Sequence, residues 1–163
     1  MQQERNCLIT NDVETTSILN HMLRDETGRY VRDEGMPRLL DLYDRYGVRA
    51  TFFYTGHIAT LYPEVVRMAH ERGHEVGSHG LTHEVGKAFD IMPPDEQLAH
   101  LRQSKKILED ITGEEVISFR APAARVDKRF PEVLREAGFK VDSSVSSQRL
   151  DMMFSFGALK KLQ

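Results

Sequence analysis

Pro63-Glu64-Val65-Val66-Arg67-Met68-Ala69-His70-Glu71-Arg72-Gly73-His74-Glu75-Val76-Gly77-Ser78 holds one complete structural unit. A proline suits the first turn of a helix, and Val65, Val66, Met68 and Ala69 follow at helical spacing. Gly73 then supplies the left-handed residue that commonly ends a helix, and a short strand begins at His74.

The same punctuation recurs on both sides of this unit. Gly47 precedes Val48 to Tyr54, Gly113 precedes Val116 to Phe119, and Gly138 precedes Phe139 to Val141. Pro37 to Tyr46 carries Leu39, Leu40, Tyr43 and Tyr46 at helical spacing; Pro94 to Ile111 places Leu98, Leu101, Ile107, Leu108 and Ile111 on one face; Pro131 to Ala137 is a shorter helix. With a first strand at Cys7 to Thr10, the order reads β-α-β-α-β-α-β-α-β, the pattern of a parallel α/β sheet, open or closed into a barrel. The polar stretch from Thr15 to Glu34 is expected to form a long loop beside the first strand.

The 163 residues, 40% of them hydrophobic, suffice for one domain and not for two, so 1–163 is taken as a single domain. A net charge of -3 provides no basic excess for nucleic acid or anionic lipid. No apolar run reaches the roughly 18 residues of a membrane span. A single cysteine, Cys7, read as a small core residue, excludes an internal disulfide, and no apolar leader precedes it, so a cytoplasmic location is expected. Oligomeric state is not encoded in any feature of the sequence.

Ionisable residues gather where strands end. Asp12 and Glu14 follow the first strand, His79 and His83 the third, Arg120 the fourth, and Asp142 ends the fifth. Parallel α/β sheets and barrels build their active sites on that edge. His79 and His83 are spaced so that one helical turn brings both imidazoles to one ion, although two surface histidines would read the same way. Asp12 and Glu14, two apart on extended chain, leave the backbone on the same side; as a pair capping a loop they would have no chemistry. Two histidines and one carboxylate leave a coordination position open for water, and a second carboxylate can accept its proton. Arg120 is expected to hold that carboxylate by a bidentate contact, or to form a structural salt bridge with Asp142. Of the other histidines, His57 reads as a supporting or surface residue, His74 as structural, and His21, His70 and His100 as solvated.

Ala50-Thr51-Phe52-Phe53, Gly73-His74-Glu75-Val76-Gly77-Ser78-His79 with His83, Phe119-Arg120-Ala121-Pro122 and Val141-Asp142-Ser143-Ser144 resemble the motifs of the polysaccharide deacetylases, the chitooligosaccharide-deacetylase homology domain of carbohydrate esterase family 4. The resemblance implies a distorted (β/α) barrel of seven strands, of which this chain holds the first part. It also implies metal-dependent removal of an acyl group, acetyl or formyl, from the amide nitrogen of a sugar or glycan precursor.

In that scheme Glu14, His79 and His83 hold one divalent metal, zinc by default with cobalt, nickel and manganese open. Asp12 is the general base, Arg120 orients it, the Ala123 N–H helps stabilise the oxyanion, and Asp142 orients a histidine general acid. Here Thr10-Asn11-Asp12-Val13-Glu14 replaces the family's adjacent aspartates, so the roles of Asp12 and Glu14 could be exchanged. Gly80 stands for a small hydroxyl residue and Ala123 for an aromatic, which opens the alternative of a non-sugar or cyclic amide. The family's last motif, with the general acid, is not found before Gln163; a longer natural protein is therefore expected, or else a catalytically incomplete domain that binds metal or glycan. Met152 to Phe156 reads as a sixth strand or an apolar end.

Overall fold

A computed structural model of the chain describes residues 7–15 and 22–145. Within them lie β1 (Thr10–Val13), α1 (Asp25–Tyr30), a π turn (Val31–Gly35), α2 (Met36–Tyr46), β2 (Thr51–Tyr54), α3 (Gly56–Leu61), α4 (Pro63–Glu71), β3 (Glu75–Ser78), α5 (Pro94–Thr112), β4 (Ser118–Phe119), α6 (Phe130–Glu136) and β5 (Val141–Asp142). The strands pair in the order β1-β2-β3-β4-β5, all parallel. A sheet laid down in chain order has no reversal point, so it is the arc of a (β/α) barrel and not a doubly wound sheet.

The four glycines adopt the left-handed backbone assigned to them, with φ of 63° at Gly47, 76° at Gly73, 74° at Gly113 and 88° at Gly138. The helices opened by Pro63 and Pro94 lie where the spacing puts them. The first strand does not. Pairing begins at Thr10, aligned with Thr51, so Asp12 lies within β1 and Cys7 and Leu8 precede the sheet and are exposed. Their apolar character favoured a core strand, but register with β2 decides which residues are paired.

The loop expected from Thr15 to Glu34 is helical from Asp25. Two glycines hide that helix from a propensity reading, yet Gly28 is buried against the Tyr62 ring, leaving no room there for a Cβ. The Met36 N–H reaches back five residues to Val31 O, a widened turn just before Pro37, whose ring would crowd the carbonyl four residues earlier in an ordinary helix. The short helix α3 was also unforeseen; the Thr55 hydroxyl caps it by accepting from the Ile58 N–H. His21 and Met152 to Phe156 lie outside the described residues.

The two faces of the sheet differ in character. Phe52, Tyr54, Val76 and Phe119 point to the helices, where Phe119 meets Phe89, Phe130 and Phe139 at ring-centroid distances of 5.3, 5.4 and 5.4 Å. Each such pair contributes about 1 kcal/mol beyond its buried area. The concave face carries Thr10, Asp12, Thr51, Phe53, Glu75 and Ser118, and all of these but Asp12 line an open cavity of about 360 Å³. There the Glu75 carboxylate joins β2, β3 and β4 by accepting from Thr51 Oγ1 at 2.5 Å and from Ser118 Oγ.

Candidate metal and proton-transfer site

Backbone pairing brings the rim residues together. The His79 N–H donates to Tyr54 O, the Thr55 N–H to Val13 O and the Arg120 N–H to Ser78 O. Glu14, His79 and the first residue beyond β4 are thereby set side by side at the C-terminal ends of their strands. A further pair of bonds, Gly56 N–H to Gly80 O and His57 N–H to Leu81 O, ties the loop carrying His83 to the start of α3.

Glu14, His79 and His83 offer donor atoms that all lie within 4.8 Å of one another. His79 is 2% exposed, and its Nδ1 lies 2.7 Å from Arg120 O. A carbonyl only accepts, so Nδ1 carries the proton and Nε2 keeps its lone pair, the arrangement by which histidines are prepared as metal ligands. Burial pushes the His79 imidazole below its usual range against the opposing pull of the Asp12 and Glu14 carboxylates, so the ring is neutral at pH 7. His83 Nδ1 lies 2.9 and 2.8 Å from the two Glu14 oxygens, and its ring stands nearly perpendicular to that of His79 at 5.6 Å. Two imidazoles and a carboxylate in one partly open cluster fit a divalent cation of the zinc type.

Asp12 stands beside this cluster. Its Oδ1 accepts from Arg120 Nη1 at 2.9 Å, and that is the single contact between the two side chains. The bidentate geometry expected from the sequence does not occur, because Arg120 Nη2 donates instead to Thr10 Oγ1 at 2.9 Å and Ser143 Oγ at 2.7 Å. A salt bridge from Arg120 to Asp142 does not form either. Asp142 is exposed, and its Oδ1 accepts from the Ser144 N–H at 2.8 Å, while Ser144 Oγ accepts from the Ala121 N–H at 2.8 Å. Asp142 is thereby linked to the backbone that carries Arg120, and no histidine among the described residues contacts it.

Four contributors went unforeseen: Thr10, Phe53, Gly77 and Ser143. The Arg120 guanidinium lies 4.4 Å from the centroid of the Phe53 ring. Phe53 fits because its register partner is Gly77, where a Cβ would stand 2.6 and 2.7 Å from two ring carbons. The period of a strand could have found two of them: Thr10 is two residues before Asp12 on the same face, and Phe53 is its pairing partner. Beyond β4, Ala123 and Ala124 take φ of 52° and 49°, a left-handed turn that non-glycine residues seldom adopt. His57 pairs with Asp25 at 2.7 Å on the same rim. His100, read as solvated, is buried against Phe89, because the face of α5 that packs on the sheet includes it.

A sequence model of the polysaccharide deacetylase family matches residues 25–141. The chain is 33% identical over 118 residues to a peptidoglycan deacetylase of Helicobacter pylori, covering 72% of this chain and 39% of that protein. A peptidoglycan-N-acetylglucosamine deacetylase of Bacillus cereus is 30% identical over 105 residues, 64% of this chain and 47% of that one. Among solved structures, one from Mycobacterium smegmatis assigned to the polysaccharide deacetylases superposes with a TM-score of 0.71 at 31% identity, covering 85% of this chain and 50% of its own. The chain thus spans less than half the length of these curated relatives.

Proposed function

The chain belongs to the polysaccharide deacetylase family, and on that premise we propose that residues 1–163 form the metal-holding and base-bearing part of a hydrolase that removes an acetyl group from the amide nitrogen of an N-acetylated glycan. The observation that carries the reading is the convergence of Glu14, His79 and His83 within 4.8 Å beside an arginine-bound Asp12. The names of the relatives make peptidoglycan the first substrate to try.

Glu14, His79 and His83 would hold the divalent cation, zinc in the first instance. When bound there, such a cation polarises the amide carbonyl and makes water acidic enough to attack at neutral pH. Asp12 accepts the proton of the attacking water at Oδ2, since Oδ1 is engaged by Arg120. Arg120 fixes the Asp12 carboxylate in direction. Asp142 is assigned to the step in which the leaving amine is protonated, as the residue that orients the proton donor.

The test is acetate release from peptidoglycan fragments and chitooligosaccharides by the protein as encoded, loaded with zinc, cobalt, nickel or manganese. Release is expected, is abolished by a chelator, and falls about 10²- to 10⁴-fold in Asp12→Asn while bound metal is retained. A metal-loaded wild-type protein that frees no acetate from either substrate class would refute the reading.

A further inference from the structure

Arg120 and Asp12 make an unusual use of their chemistry. A guanidinium and a carboxylate prefer two parallel N–H···O bonds, which would occupy both carboxylate oxygens. Here they share one. The Nη2 amino group is bonded to Thr10 Oγ1 at 2.9 Å and Ser143 Oγ at 2.7 Å, and Nε lies 3.3 Å from the same Ser143 hydroxyl. The guanidinium also rests on Phe53, 4.4 Å from the ring centroid, so it is held on its edge and on one face. Among the described residues Asp12 Oδ2 has no hydrogen-bond partner.

We propose that Thr10 and Ser143 are positioning residues, a hydroxyl clamp that prevents Arg120 from closing on both oxygens of Asp12 and so reserves Oδ2 for the proton of the attacking water. The inference rests on the hydrolase reading. The two hydroxyls come from strands at opposite ends of the described sheet, β1 and the residue after β5, and meet only because Arg120 reaches across the concave face between them. Without them the planar guanidinium is free to turn as a unit about the Cγ–Cδ and Cδ–Nε bonds into the preferred fork. Each Asp12 oxygen would then receive an N–H, and Oδ2 would no longer be left open to the attacking water.

Thr10→Val and Ser143→Ala remove one hydroxyl each with little change of shape, and the backbone bond from the Ser143 N–H to Phe119 O is untouched. In the double variant a crystal structure is expected to show Arg120 bonded to both Asp12 oxygens. Deacetylation kcat is expected to fall on the order of tenfold or more, part of what a general base supplies, with KM and zinc affinity within about twofold of wild type, as uniform binding is not altered. Ser143→Thr, which restores a hydroxyl, is expected to recover the rate. An Arg120 that does not move in the double variant overturns the clamp, as does a moved Arg120 with unchanged kcat. A wild-type protein that releases no acetate defeats the hydrolase reading separately, and the clamp is then decided by the position of Arg120 alone.

Discussion

His79 and His100 are both buried imidazoles held neutral by their surroundings, yet one belongs to a site and the other does not. His79 is 2% exposed, at the end of β3, with its Nδ1–H on a backbone carbonyl and two carboxylates acting on its ring. His100 is 9% exposed, on the sheet-facing side of α5, 5.5 Å from the Phe89 ring, and its Nδ1 has no hydrogen-bond partner among the described residues. His74 resembles the second case: it is 4% exposed, enclosed by Tyr43 and Phe52, with the Ala50 N–H on its Nδ1. Burial makes each ring neutral; only the convergence of acidic groups from another strand makes a neutral ring useful as a donor.

The contrast is broken most directly by metal binding. His79→Ala is expected to weaken zinc affinity by at least about 100-fold, since removal even of groups outside the ligand set costs 10- to 100-fold. His100→Leu is expected to leave it within about twofold. Titration calorimetry with zinc measures both, and equal losses would mean that the cluster around Glu14 is not where the metal sits.

How much of this contrast the sequence contained depends on the range of the interaction. Helices opened by Pro63 and Pro94 and closed by Gly73 and Gly113 were legible because caps and periodicity act over one or two turns. The grouping of Glu14, His79 and His83 was legible because parallel strands deliver their ends to one edge. Asp12 reads from the sequence as following the strand and lies inside it, because register is set by a partner 41 residues away, Phe53. Separation in sequence also hides the hydroxyls of Thr10 and Ser143, 110 and 23 residues from Arg120, which have no meaning until Arg120 crosses the sheet. The burial of His100 is not legible, because one polar residue on an amphipathic helix shows no outward sign of which side of the boundary it occupies.

The next effect concerns acid stability. Burial pushes the His100 pKa down to about 4 from an ordinary value of 6.5. The unfolded chain therefore binds a proton between those values that the folded chain does not, and stability must decline as pH falls from about 6.5 towards 4. At 1.36 kcal/mol for each pH unit, the loss from this residue is about 3 kcal/mol at its limit. His100→Leu, close in volume and without the unpartnered nitrogen, is expected to be more stable than wild type at pH 5 and to flatten the slope of stability against pH. Urea denaturation at pH 5 and 7.5 measures it; an unaltered slope would show that the proton is taken up elsewhere, His74 and His79 being the other buried rings that burial pushes down.

The smallest effect sharpens the boundary between the two regions. The Gly80 N–H donates to Ser78 Oγ at 3.2 Å, Ser78 Oγ lies 2.8 Å from Ser104 Oγ, and Ser104 Oγ donates to Leu101 O at 2.9 Å. Because Ser104 spends its proton on Leu101, the Ser78 hydroxyl must be the donor between the two serines, and the three bonds form one relay from the histidine loop to α5. Ser104→Ala breaks the relay at its centre and leaves the Ser78 O–H buried without an acceptor, at a cost of about 1–2 kcal/mol in urea unfolding. Zinc affinity is expected to change by less than about threefold, since His79 keeps its backbone bonds to Tyr54 and Arg120. A larger change would mean that the packing of α5 reaches the metal cluster, and the two kinds of buried histidine would then belong to one cooperative unit rather than two.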